Sequence, residues 1–147
     1  MSRREGAATL PPVAHAAHAL NWIRGPKAVA SSSALDRIRA SLEVADLVRF
    51  FESRLFSASG VAGGKPAPDL FLLAAARMQV DPAECIVVED SAAGIAAAAA
   101  AGMMPIGFVG CKHAGGRLAR DLVNAGARTV IADMRALNSA VIDLRGW

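Results

Sequence analysis

Three short clusters in this 147-residue chain combine residue types that can handle a phosphate group. The first is Ser31-Ser32-Ser33, expected where a strand ends and a helix begins. A hydroxyl beside the free N–H groups of a helix start suits a phosphate oxygen; the ordinary alternative is a serine that merely caps the helix. The second is Gly64-Lys65-Pro66-Ala67-Pro68-Asp69, where two prolines stiffen the backbone around Lys65 and hold its ammonium in place. A loop lysine is otherwise just solvated. The third is Val88-Glu89-Asp90-Ser91-Ala92-Ala93-Gly94-Ile95, with two adjacent acids between an apolar run and an alanine-rich stretch. Hard carboxylate oxygens suit Mg²⁺, which keeps several of its waters, and Gly94 would let the helix lie close to its neighbour. The alternative is that Asp90 only caps that helix and complements its dipole. In this order, hydroxyl, lysine and acid pair are what phosphoryl transfer needs: the metal and the lysine neutralise phosphate charge and the hydroxyl orients it.

The elements that must carry these clusters alternate along the chain. Residues 1–12 have no periodicity and end in Pro11-Pro12, a loose lead-in. A short helix is expected over 13–23, with Ala17, Leu20 and Ile23 on its buried stripe. Strands are expected over 27–30, 54–57, 85–88, 105–109 and 129–132. Helices are expected over 35–42, 68–78, 91–101, 116–125 and 137–144. Ser33 with Asp36 forms a weak capping box for the 35–42 helix. Leu70, Leu73, Ala74 and Arg77 fall at helical spacing, and Asp81-Pro82-Ala83-Glu84 has the cap, proline and acid of a short helical turn. The run 85–88 is apolar throughout, the mark of a parallel strand buried on both faces. The pattern predicts an α/β fold: a three-layer, Rossmann-like parallel sheet with helices on both faces. In such sheets the site lies beyond the carboxyl ends of the strands, which is where all three clusters fall.

Composition narrows the function classes. The apolar fraction of 54% argues for a packed core. The net charge is +3, and its Arg-rich excess is spread along the chain without a basic block, so no nucleic-acid partner is expected. The longest small-apolar run, 92–101, is far short of the ~20 residues that span a bilayer, so no membrane partner is expected either. The N-terminal stretch is broken by Pro11, Pro12, His15 and His18 and makes a poor signal peptide. Cys85 and Cys111 form no CxxC pair, which fits a reducing cytoplasm. His15 and His18 are three apart on one helix but lack a third metal ligand nearby, and read as a solvated face. Trp22 is expected to pack, and His113 to lie in a loop after a strand.

Ala30-Ser31-Ser32-Ser33, Gly64-Lys65-Pro66-Ala67-Pro68-Asp69 and Val88-Glu89-Asp90-Ser91-Ala92-Ala93-Gly94-Ile95 resemble the second, third and fourth motifs of the haloacid-dehalogenase-like hydrolases. The likeness is strongest to the capped branch that includes β-phosphoglucomutase, phosphoglycolate phosphatase and 6-phosphogluconate phosphatase. It continues through Ala101-Gly102 and Ala125-Gly126-Ala127 and covers about residues 26–140. The resemblance implies a Mg²⁺-dependent phosphatase that acts on a small phosphorylated metabolite, such as a sugar phosphate, through an aspartyl-phosphate. It implies that Ser31 binds the phosphate, that Ser32 and Ser33 lie in the phosphate loop, and that Lys65 holds phosphate and nucleophile. It also implies that Asp90, helped by Glu89, binds Mg²⁺.

The departure from the family is its first motif, Asp-x-Asp-Gly, which supplies the nucleophile and the general acid and base. The aspartates here are 36, 46, 69, 81, 90, 121, 133 and 143; no two are two apart and none precedes Ser31. The resemblance therefore implies a chain without its nucleophile, central first strand or helical cap, inactive alone. Residues 1–26 are expected to be a lead-in and a remnant of the cap-to-core connection, and 27–147 a partial core. The alternatives are a non-catalytic phosphate-binding or interaction module, half of a split enzyme, and a phosphomutase fragment. In the family the first strand lies between the strands ending at Ser31 and Glu89. Without it, either those two strands pair directly, or the fold is marginal and self-associates through unpaired edges; the second is the expectation here.

Overall fold

The computed structural model describes residues 13–110 and 116–145. Seven helices and five strands alternate along the described residues. They are α1 (Ala16–Trp22), β1 (Val29–Ser31), α2 (Leu35–Val44), α3 (Val48–Phe51), β2 (Leu55–Ser57), α4 (Asp69–Met78), β3 (Ile86–Glu89), α5 (Ala92–Ala100), β4 (Met104–Phe108), α6 (Gly116–Ala125), β5 (Thr129–Ile131) and α7 (Leu137–Arg145). The α/β class expected from the sequence is what the chain adopts. All pairings are parallel, but they fall into two sheets: β1 with β2, and β3, β4 and β5 in that order.

Helices cover both faces because the strands present apolar side chains on both. On one side, Ala19 of α1 and Leu137, Ala140 and Val141 of α7 pack on Ile106, Phe108 and Ile131. On the other, Phe71 and Ala75 of α4 meet Ala97 and Ala98 of α5, with Ala30 of β1 and Val87 of β3 packed against them. Ile38 and Leu42 of α2 and Phe51 cover Leu55, with Val29 and Leu20 packed alongside. Val29 and Ala30 thus enter different clusters, as the two-residue period of a strand requires. The small side chains of α5 let it seat flat, with Ile95, Ala97 and Ala98 fully buried.

Several expectations are corrected. The strand expected over 27–30 runs Val29–Ser31, because its ladder opens with the Val29 N–H bond to the Arg54 carbonyl (3.0 Å). Ser33 does not cap α2; Ala34 takes that position without a side-chain bond, because the Ser33 carbonyl is held by the Ser57 hydroxyl at 2.7 Å. On α4 the buried stripe is Leu70, Phe71, Ala74 and Ala75, with Arg77 exposed. On α1 the buried residue is Ala19; Ala17, Leu20 and Ile23 are half-buried, because Leu20 joins one cluster while Ala19 and Ile23 join another. Trp22 does not pack: it is 62% exposed beside the His18 ring. The strand expected to be buried on both faces is not, since Val88 is 37% exposed; among the described residues β3 has a hydrogen-bonded neighbour only on its β4 side. β1 and β3 do not pair with each other, so the direct closure considered from the sequence does not occur.

Candidate functional site

The site is built at the carboxyl ends of β1 and β3. β1 delivers Ser31, which is 3% exposed and the one buried polar side chain among the described residues. Its Oγ accepts the Ser33 N–H at 3.1 Å, which bends the chain back at the strand end. Ser32 is exposed and Ser33 half-buried in the turn that follows. The turn is pinned from β2, whose Ser57 hydroxyl donates to the Ser33 carbonyl.

Lys65 reaches this point from the loop before α4. That loop is braced by Asp69, whose carboxylate accepts the Gly63 N–H at 3.2 Å. The Lys65 ammonium donates to the carbonyl of Ala30 at 3.3 Å and to the Glu89 carboxylate, and it lies 5.1 Å from the centre of the Phe71 ring. Its side chain is 13% exposed and that of Glu89 12%, so the pair is screened from bulk water. Lys65 thereby ties the end of one sheet to the end of the other.

Gly94 makes room for this pair. A Cβ at Gly94 would overlap the Glu89 carboxyl group. The neighbour that needs this glycine is therefore the Glu89 side chain, not a second helix. The capping alternative for Asp90 is also corrected: Ser91 is the N-cap of α5, accepting the Gly94 N–H at 3.1 Å. A hydroxyl one residue later does the capping, and Asp90 sits half-buried between strand end and cap.

Among the described residues, no group of three or more His, Cys, Asp or Glu side chains comes together to hold a metal ion. Glu89 is paired with Lys65, and Asp90 follows it directly at the end of β3. Burial pushes the Cys85 thiol up, which keeps it protonated and unsuited to nucleophilic attack. His113 and Cys111 lie outside the described residues. A groove of about 400 Å³ lined by Arg120, Val123, Asn124 and Thr129 lies at the outer edge of β5 and contains none of Ser31, Lys65, Glu89 and Asp90. Sequence reasoning missed Ser57 and Phe71. Ser57 carried a signal, a hydroxyl at a strand end; Phe71 read only as an apolar helix residue.

The comparisons with known proteins agree on the family. A family model described as haloacid dehalogenase-like hydrolase matches residues 2–102. A haloacid dehalogenase-like protein of unknown function from Agrobacterium tumefaciens superposes with a TM-score of 0.85 at 36% identity, covering 90% of this chain and 61% of that one. A family hydrolase from Deinococcus radiodurans, solved with bound phosphate and sodium, gives 0.84 at 32% identity, covering 93% and 62%. A fructose-1-phosphate phosphatase of Escherichia coli is 45% identical over 80 residues, 54% of this chain and 42% of that protein. The chain thus spans less than two-thirds of the length of each of these relatives.

Proposed function

Because the chain belongs to the haloacid dehalogenase-like hydrolases, a family in which its relatives include sugar-phosphate phosphatases, we propose that its site binds the phosphate group of a small phosphorylated metabolite. Lys65 supplies the positive charge and Ser31 a hydroxyl. The observation that carries this reading is the position of the Lys65 ammonium, held at the end of β1 by the Ala30 carbonyl and opposite Glu89. A part-buried lysine with fixed partners is a preorganised donor, which is worth more to an anion than a mobile surface lysine.

Mg²⁺ belongs to the same proposal. It is held by one or two carboxylates together with substrate oxygens and waters, and Asp90 is the residue that would supply the carboxylate. When bound it would neutralise phosphate charge. The seat is cytoplasmic, in keeping with the free thiol of Cys85.

Turnover is another matter. An aspartyl-phosphate needs a carboxylate in line with phosphorus, and the carboxylates that the described residues place at the ends of β1 and β3 are Glu89 and Asp90. The chain alone is therefore expected to bind phosphate without hydrolysing esters. Titration of inorganic phosphate by isothermal calorimetry tests the binding: the intact chain binds, and Ser31→Ala and Lys65→Met each weaken binding at least about tenfold, about 1.4 kcal/mol. Equal binding by all three would defeat the reading. Hydrolysis of p-nitrophenyl phosphate with Mg²⁺, lost in Asp90→Asn, would show that the chain carries its own nucleophile.

A further inference from the structure

The segment that carries Ser31 is fixed from two sides. Behind it, the Lys65 ammonium donates to the Ala30 carbonyl at 3.3 Å. Ahead of it, Ser33 is held at both of its backbone groups. Its N–H donates to the Ser31 Oγ at 3.1 Å, and its carbonyl accepts the Ser57 hydroxyl at 2.7 Å. The register of the smaller sheet accounts for that reach. Ser31 and Ser57 are Cα partners, the last residues of β1 and β2. Neighbouring strands lie about 4.8 Å apart, so a hydroxyl at the end of β2 spans to the chain leaving β1.

The proton of Ser57 has one place to go. A carbonyl only accepts, so Ser57 donates to Ser33. Its oxygen then accepts from Ser59, from the N–H at 3.2 Å and from the hydroxyl at 2.9 Å. Ser57 therefore does two things: its oxygen caps the short turn 58–60, and its proton holds the turn after β1. At Ser31 the use is reversed. Accepting the Ser33 N–H takes a lone pair and leaves the proton, so the Ser31 hydroxyl can donate to a phosphate oxygen. The direction in which it donates depends on where Ser33 sits, and Ser57 sets that.

We infer that Ser57 is a positioning residue for phosphate: through Ser33 it fixes the rotamer of Ser31 and aims the Ser31 hydroxyl at the anion. The inference rests on the phosphate reading of the site. Ser57 acts through Ser33 and does not itself touch the anion. A donor fixed before the ligand arrives gives up less freedom on binding. Without the Ser57 hydroxyl the Ser33 carbonyl loses its partner, the turn loosens, and Ser31 regains its other staggered rotamers. The plain alternative is that Ser57 only caps the turn 58–60. Capping uses the oxygen as an acceptor, positioning uses the proton, and only the second reaches Ser31.

The test titrates inorganic phosphate into the full chain by calorimetry, with urea unfolding alongside. Ser57→Ala is expected to weaken binding about three- to tenfold, the net worth of one hydrogen bond. Ser57→Thr keeps the proton and should bind within about twofold of the parent. In a chain that already carries Ser31→Ala, adding Ser57→Ala should change the affinity by less than about twofold, because the residue it acts through is gone. Ser59→Ala removes a contact of the turn but not the Ser57 proton, and should leave binding within about twofold. If Ser57→Ala does not fold, Ser57→Cys exchanges one atom for a weaker donor and should weaken binding about threefold. Parent-level binding by the Ser57 variant, failure of Ser57→Thr to restore it, full additivity with Ser31→Ala, or an equal loss in Ser59→Ala overturns the inference and leaves the phosphate reading standing. Absence of binding by the parent chain defeats the phosphate reading itself, and the inference with it.

Discussion

In the three-stranded sheet, β4 has a hydrogen-bonded neighbour on each side, and four of its five residues are buried. In the two-stranded sheet each strand has one neighbour among the described residues, and only Leu55 and Ser31 are buried. β3 belongs to the larger sheet yet resembles the smaller one: none of its residues is buried and Val88 is exposed. An apolar strand is therefore not buried by its composition. It is buried when strands close it on both edges and helices close it on both faces. Two-stranded sheets are marginal in water by themselves, so β1 and β2 rely on α2, α3 and α4, whereas β4 sits inside a self-sufficient core.

The largest effect expected from this contrast is at Ile106, fully buried in β4. Ile106→Ala leaves a cavity at the centre of the larger sheet and should cost about 2–5 kcal/mol. Val29→Ala, at a half-buried site in β1, should cost about 1 kcal/mol. Urea unfolding followed by circular dichroism compares the two; equal losses would mean that the two sheets unfold as one equally packed body.

Next comes the tie between the halves. Glu89→Gln leaves the Lys65 ammonium part-buried without its counter-charge and should cost about 2–3 kcal/mol. In a double-mutant cycle with Lys65→Met, the combined loss should fall short of the sum of the single losses by about 1–3 kcal/mol. Strict additivity would mean that the pair does not couple the sheets.

Gly94→Ala sets two effects against each other. Alanine favours a helix over glycine by about 1 kcal/mol, but here it collides with Glu89, and overpacking costs about 1–3 kcal/mol. Glu89 cannot swing aside without leaving Lys65, so the collision should win, with a net loss of about 1 kcal/mol. A raised melting temperature would show that Glu89 moves away freely.

The smallest effect is expected at an ion pair of the same chemistry without burial. Arg135 holds the exposed Asp133 carboxyl well below the usual carboxylate range through side-chain and backbone hydrogen bonds. A depressed folded value contributes stability above the ordinary carboxylate pKa of about 3.9 and loses it as pH falls through the lower folded value. Solvent screening makes that contribution slight. Asp133→Asn should leave the urea midpoint at pH 7 unchanged, and any difference from the parent chain should shrink further below pH 3. A clear loss at pH 7 would put this exposed pair on a par with Lys65–Glu89.

The sequence by itself determined what depends on near neighbours. Periodicity placed the strands and every helix but α3 to within a few residues, and Asp81 caps its turn through the Ala83 N–H as its spacing implied. The three clusters were legible as residue types in the chain itself: the hydroxyls and the acids sit at the ends of β1 and β3, and the lysine in the proline-stiffened loop before α4. Tertiary structure alone decided which of them touch. Lys65 meets a carbonyl 35 residues before it and a carboxylate 24 residues after it, and that meeting pairs Glu89 with the lysine. It also decided that Val88 is exposed, Trp22 unpacked and Ala19 buried. Caps and side-chain periods are set within a few residues. Burial and strand pairing depend on what lies beside an element in space, and a strand's own sequence does not say whether both of its edges will be bonded.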